Sequence, residues 1–460
     1  MPQTLGRTLH TRHVTMITVG GIIGAGLFVG SSTAISTIGP AAIISYALSG
    51  LVILFIMRIL SELAAAHPGT GSFTEFARIG LGNWAGFVSG WLYWYFWVVV
   101  VPIEAIAGAH ILNGWIPGIP EWVLGLALLT MMTGVNLLSA RSFGEFEFWF
   151  SSIKVAAIII FILIAGGYAS GLTAPHGNTF GNLVSHGGFA PHGAGAVLAG
   201  VVTVIFSFVG AEIVTIAAAE SSEPARATAR LTSSVAVRIL LFFVLSITLI
   251  VAIVPWNTIQ PRTSPFATAL EVVGIPGAAT IMKVVVLTAV LSCLNSGIYV
   301  TSRVLFGLAA KGDAPQWLVT LNDRRVPARA ILAGSAFGYA AVAASVLSPG
   351  LVFNFLVDAS GAIALVLYLL VAVAELRLRA HWQRVDPSRL PIRMWLFPYA
   401  TWLVIGVMLA VLVAMALTPS LRSQFYSSAA VVVLAFAGYG LRRRHGTPLP
   451  QRAPQPGLGD

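Results

Sequence analysis

The chain has 460 residues, of which 57% are hydrophobic and only 9% carry charge, with a mean hydropathy of +0.88. No single water-soluble core accommodates that composition, so the sequence reads as an all-α integral membrane protein. A net charge of +10 is also the mark of nucleic-acid binders, but there is no soluble domain here to carry such a function.

Twelve apolar runs follow along the chain, each near the roughly 20 residues that cross a bilayer as a helix. They lie near Thr15–Thr37, Ala41–Ala66, Trp84–Leu112, Glu121–Leu138, Phe148–Tyr168, Gly195–Ala219, Ser234–Val254, Ala278–Ala309, Ala330–Leu347, Leu351–Leu376, Met394–Leu417 and Ser427–Leu441. The first lacks a small-residue cleavage pattern behind it and reads as a retained span, not a signal peptide. Arg226, Arg230, Lys311, Arg324, Arg325 and Arg442–Arg444 fall on one side of this topology, whereas Arg262 and Arg422 fall on the other. The positive-inside rule then places both termini in the cytoplasm of a multi-pass inner-membrane protein. Residues 1–14 form the cytoplasmic N-terminus, 15–441 the transmembrane domain and 442–460 a cytoplasmic tail. The Pro-rich end of that tail, HGTPLPQRAPQPGLGD, reads as disordered.

The lone Cys293 excludes disulfides and CxxC-type metal clusters, and no P-loop, HExxH or GxSxG pattern occurs. Work done by this protein therefore draws on an ion gradient, with no cofactor. A channel would need rings of like residues around a symmetric pore. A membrane-embedded hydrolase would need paired catalytic residues, and the intramembrane acids are scattered over different spans without a histidine partner.

The first run contains GGIIGAGLFVG, residues 20–30. Glycines there either let two helices pack closely or interrupt the span. An interrupted span is tolerated only beside a cavity, where freed amides hold an anion and freed carbonyls hold an ammonium or cation. A second such place lies in the sixth run, VIFSFVGAEIVTIAAAES (204–221), which sets Ser207, Gly210 and Glu212 in apolar surroundings. Five spans separate the two, giving five plus five and then two more: repeat one 15–170, repeat two 192–376 and extra helices 394–441.

Three motifs carry a resemblance: GGIIGAGLF from Gly20, GEFEFWFSSIK from Gly144 to Lys154, and SFVGAE from Ser207 with AAAES from Ala217. They resemble the amino acid permeases of the APC superfamily, and the likeness runs from about His13 to Gly440. GWLYWYFWVVVVPIEA (90–105), SCLNSGIYVTSR (292–303) and DASGAIALVLYL (358–369) look most like the branch that transports 4-aminobutyrate. Branches for aromatic or basic amino acids, histidine, asparagine or proline share the first three motifs, and some relatives exchange one amino acid for another. The resemblance implies a LeuT-type fold with spans 1 and 6 unwound, and import of an amino acid coupled to protons. It implies that the substrate carboxylate meets the amides of Ala25 and Gly26, beside Gly24. The amine would face carbonyls near Ile22 and from Phe206 to Val209 and Gly210, with Phe206 covering the substrate.

Charged groups at bilayer depth are costly and mark functional sites. Lys154 lies about 10 Å into the fifth span if Glu147 marks the entrance. It either snorkels to the surface or, as the resemblance implies, stands where sodium-coupled relatives bind a cation, its protonation then replacing the sodium in coupling or gating. Glu212 and Glu104 are expected to serve proton coupling or gating, or to pair structurally. Lys283 snorkels at the outer end of span 8. Ser292, Asn295, Ser296, Tyr299 and Arg303 recur at helical spacing, a polar face that either bonds to other helices or lines the path, with Asn295 the expected lining residue.

Overall fold

The computed structural model describes Met16 and residues 22–67, 72–138, 140–175, 177–210, 212–213 and 224–444, and among these residues there are helices and no strand. Residues 1–14, Gly20 and Gly21, the AAAES segment and residues 445–460 lie outside the described ones.

The apolar helices are α1 (Gly26–Ile38), α2 (Ala42–Ala66), α3 (Asn83–Asn113), α4 (Glu121–Leu138), α5 (Ala140–Ala169), α6 (Gly193–Phe206), α7 (Pro224–Ile253), α8 (Ala278–Ala310), α9 (Ala328–Ala344), α10 (Pro349–Val385), α11 (Tyr399–Leu417) and α12 (Arg422–Arg444). Eight of them are long and apolar enough to cross a membrane, and α1, α6, α9 and the stretch Leu240–Ile253 of α7 are shorter apolar helices. Each coincides with one of the predicted runs. Helices form here because a backbone in hydrocarbon must satisfy its own N–H and C=O groups.

The packing separates interior from periphery. Helix α2 lies along α7, and α3 lies along α8 while also touching α4, α9, α10 and α12. Along α3 both faces are apolar and buried, as a central helix demands. Leu163 on α5 and Val433 and Leu434 on α12 instead turn large apolar side chains outward, as a lipid-facing surface does.

Both suspected interruptions are present. Ile23 and Gly24 are non-helical, and the chain resumes through a π-helical turn, Gly26–Gly30. The α6 helix ends at Phe206 and gives way to a turn over 207–210, where Gly210 has φ +124°. The two breaks touch. A Cβ on Gly26 would stand 2.8 Å from the Ser207 Cα, so only glycine permits the crossing.

Two boundaries need correcting. Helix α5 begins at Ala140, so GEFEFWF lies inside it and Glu147 is buried instead of marking an entrance. Lys154 is then about 21 Å from the start of its helix at 1.5 Å per residue, not 10 Å, and its side chain is fully buried, which excludes snorkelling. The second correction is at the C-terminus, where α12 continues to Arg444 in place of a tail from 442.

Candidate functional site at the two helix breaks

The first break is gripped from both sides by charged side chains of other helices. Glu104, on α3, accepts from the Ala25 N–H with both carboxylate oxygens, at 3.1 and 3.0 Å. Lys154, on α5, donates to the Ile23 carbonyl at 2.9 Å and to the Ser292 hydroxyl at 2.8 Å. The Ser292 hydroxyl in turn donates to Glu147, whose Oε1 lies 4.0 Å from the lysine ammonium. The freed amide therefore holds an anion and the freed carbonyl a cation, as a broken helix predicts. Both partners belong to the protein itself. Glu104, Glu147 and Lys154 are all buried, so each charge depends on the others and on these backbone groups.

Space at this point is small. A cavity of about 10 Å³, room for about one water, is lined by Ile22, Gly24, Gly26, Phe206, Val209, Glu104, Phe96, Trp97, Val100, Ser207 and Cys293. A Cβ on Gly24 would meet the Glu104 Oε1 at 2.7 Å and the Cys293 Cβ at 2.8 Å. The glycine is what lets the carboxylate reach the amide of the next residue.

The second break is held locally. Glu212 accepts from the Gly210 N–H at 3.0 Å, two residues back, while Tyr93 on α3 and Tyr368 on α10 donate to its two oxygens at 3.2 and 3.0 Å. Gly210 thus faces this carboxylate instead of the cavity. Tyr95, the other tyrosine of the α3 aromatic cluster, lines a separate groove with Trp91 and Trp94 against α12.

The polar face of α8 divides. Ser292 joins the lysine cluster, whereas Asn295 accepts from the Asn136 amide on α4 at 2.7 Å and does not line the cavity. Tyr299 stacks on Phe143 with ring centroids 4.0 Å apart, and the Arg303 guanidinium lies 3.9 Å from the Tyr299 ring centre. Ser292, Asn295 and Tyr299 of this face thus meet other helices, while Arg303 lies against its own. Cys293, one position round the helix, is the α8 residue at the cavity. Lys283 pairs with Glu271 at 3.5 Å in an exposed position.

Sequence reasoning missed Glu147 as a partner, and Phe96, Trp97 and Val100, and left Ser292 open between bonding to other helices and lining the path. The α3 residues were findable, because positions 93, 96, 97, 100 and 104 are linked by steps of three and four and therefore share one helix face. The partnership of Glu147 with Lys154 had a trace too, since seven residues are two helical turns.

Beyond the breaks, toward the end of the bundle that carries Arg78, Lys311 and Arg442, a polar network joins the connecting helix Thr74–Leu81 to α8 and α12. Asp313 pairs with Arg78 at 2.5 Å and with Arg442, and Glu75 pairs with Lys311 at 2.5 Å. Burial alone would raise the Glu75 pKa, but the Lys311 and Arg78 charges bring it below the usual carboxylate range. Nearby, Arg379 on α10 holds Glu62 on α2 at 2.8 Å.

A model of the amino acid permease family matches residues 13–449. The gamma-aminobutyric acid permease of Bacillus subtilis (strain 168) is 48% identical over 443 residues, covering 96% of this chain and 94% of that protein. The gamma-aminobutyric acid permease of Escherichia coli (strain K12) is 45% identical over 435 residues, covering 94% and 93%.

Proposed function

The chain belongs to the amino acid permease family, and from that premise we propose that it imports 4-aminobutyrate across the inner membrane, together with protons, by alternating access. The observation that carries this reading is the grip of the Glu104 carboxylate on the Ala25 amide. That amide binds a carboxylate, and a substrate carboxylate needs the same donor. The two anions cannot share it, because like charges at contact in a low-dielectric interior repel strongly.

Protonation resolves the competition. A neutral Glu104 releases its claim on the amide, the substrate carboxylate takes its place, and one proton is bound for each substrate that enters. The pair Lys154 and Glu147 holds the Ile23 carbonyl beside this exchange, fixing the shape of the first break in place of a metal cation. Apolar side chains at the cavity, Phe96, Val100 and Val209 among them, suit the unbranched methylene chain of 4-aminobutyrate. Its amine would reach carbonyls of the second break, where Phe206 closes over it. Release follows parting of Tyr93 and Tyr368 from Glu212 toward the cytoplasm, with both termini on that side.

The experiment is uptake of labelled 4-aminobutyrate into proteoliposomes with an inward proton gradient, with unlabelled α-amino acids as competitors. Gradient-dependent accumulation that unlabelled 4-aminobutyrate suppresses and α-amino acids do not is the expected result. Transport of an α-amino acid instead would overturn the substrate, and uptake indifferent to the proton gradient would overturn the coupling.

A further inference from the structure

Away from the breaks, at the end of the bundle opposite Arg78 and Arg442, a cavity of about 470 Å³ lies between α1, α6 and α10, with the α11–α12 turn at its rim. Its size is that of a small-molecule site, and its walls mix Thr33, Thr203, Asn354 and Asp358 with apolar residues such as Ala199 and Val357. Gly30, one helical turn past Gly26, and Thr203, three residues before Phe206, both line it. At 1.5 Å per residue the cavity therefore stops about 4.5–6 Å short of the two breaks along α1 and α6.

Among the described residues Asp358 is the only ionisable side chain in its wall. Its Oδ1 accepts from the Thr203 hydroxyl at 3.1 Å and its Oδ2 from the Gln424 amide at 3.4 Å, both neutral donors, and among the described residues no Lys, Arg or His pairs with it. An ionised carboxylate offers about four acceptor positions, so capacity remains on the cavity side. The Thr33 hydroxyl, buried in the same wall, has no hydrogen-bond partner among the described residues. A carboxylate set among apolar groups is stabilised by a cation that brings N–H donors, and a nearby hydroxyl oxygen is an acceptor for one of them.

We propose that this cavity is an outer binding site for the ammonium group of a primary amine, held by Asp358 with Thr33, which an amino acid occupies before it reaches the helix breaks. The inference rests on the transport reading for its purpose, but its binding chemistry stands apart from it. Amine capture at Asp358 draws the substrate in by its positive end. The carboxylate end is left for the Ala25 amide one turn deeper, which suits a substrate whose two charges lie at opposite ends of a chain.

The test uses n-butylammonium chloride, which carries the amine and the methylene chain but no carboxylate. Calorimetry on the full chain in nanodiscs is expected to show binding to the wild type that weakens about tenfold in Asp358→Asn and less in Thr33→Val, the loss of a charge-assisted hydrogen bond. Butyrate serves as the control and is expected to show no difference between wild type and Asp358→Asn. In proteoliposomes, Asp358→Asn is expected to raise the KM for 4-aminobutyrate while leaving kcat near the wild-type value. Equal n-butylammonium binding by wild type and a folded Asp358→Asn, verified by an unchanged Tm, would overturn the site. So would displacement of n-butylammonium by sodium chloride but not by potassium chloride, which would assign the cavity to a metal cation. Binding that depends on Asp358 in a protein that does not transport 4-aminobutyrate would leave the outer site standing and remove the substrate assignment. Normal uptake with no n-butylammonium binding would do the reverse.

Discussion

The two breaks solve one physical problem in opposite ways. At the first, the freed backbone groups of Ile23 and Ala25 are satisfied by Lys154 and Glu104, side chains that arrive from α5 and α3. At the second, Gly210 is satisfied by Glu212 of its own segment, and tyrosines from α3 and α10 complete the shell. A break held by distant charged groups is sensitive to their protonation and to any competing ligand. A break held by its own residue keeps its shape and can serve as a latch. The proposed function therefore assigns coupling to the first and gating to the second.

The sharpest way to break this contrast is steric. Gly24→Ala places a methyl group within 3 Å of Glu104 and Cys293, and Cys293 meets it with a backbone-anchored Cβ that cannot swing away. Uptake is expected to fall at least ~100-fold, about 2.7 kcal/mol, within the usual cost of overpacking. Initial-rate uptake measures it. Gly210→Ala meets strain from its positive φ instead, and about a tenfold loss is expected.

Lys154→Ala strikes the stability of the first break directly, because it leaves Glu147 buried without its cation. A loss of about 3–5 kcal/mol of stability is expected, together with loss of concentrative uptake, checked by thermal melting and by accumulation ratio. A protein that accumulates substrate normally would show that the first break needs no cation.

Glu212→Gln retains hydrogen-bonding capacity at the latch, so its effect is expected to be smaller, about a threefold change in kcat with KM nearly constant, as exchange of a charged acceptor for a neutral one implies. A change in proton stoichiometry would move coupling to the second break and dissolve the contrast.

The smallest effect concerns pH. The Glu75 pKa is lowered in the folded protein, so its contribution is present above the ordinary carboxylate pKa and is lost as pH falls through the lowered value. Glu75→Gln is expected to flatten the fall in stability below about pH 4.3, by at most ~1 kcal/mol because Lys311 is partly exposed, which thermal melting across pH reads.

The sequence made the twelve apolar helices readable because hydrophobic runs of membrane length have few alternatives in a protein with so little charge. Both breaks were visible as glycine and polar residues inside such runs. Pairings across helices were not. Nothing local to Glu104 says that its carboxylate reaches the Ala25 amide, since the contact depends on how α3 packs beside the first break. Asn295 misled for the same reason, because helical periodicity gives its face but not whether α4 or the cavity lies opposite. Lys154 was misjudged in depth when Glu147 was taken as the boundary, although two charges two turns apart can neutralise each other inside the membrane.

The central claim is that Glu104 and the substrate carboxylate compete for one amide and that a proton decides the exchange. Glu104→Gln tests it most directly, in proteoliposomes with and without an inward proton gradient. The account predicts that the variant still equilibrates 4-aminobutyrate down its own gradient but no longer accumulates it when the proton gradient is imposed. Accumulation at the wild-type ratio by Glu104→Gln would contradict it.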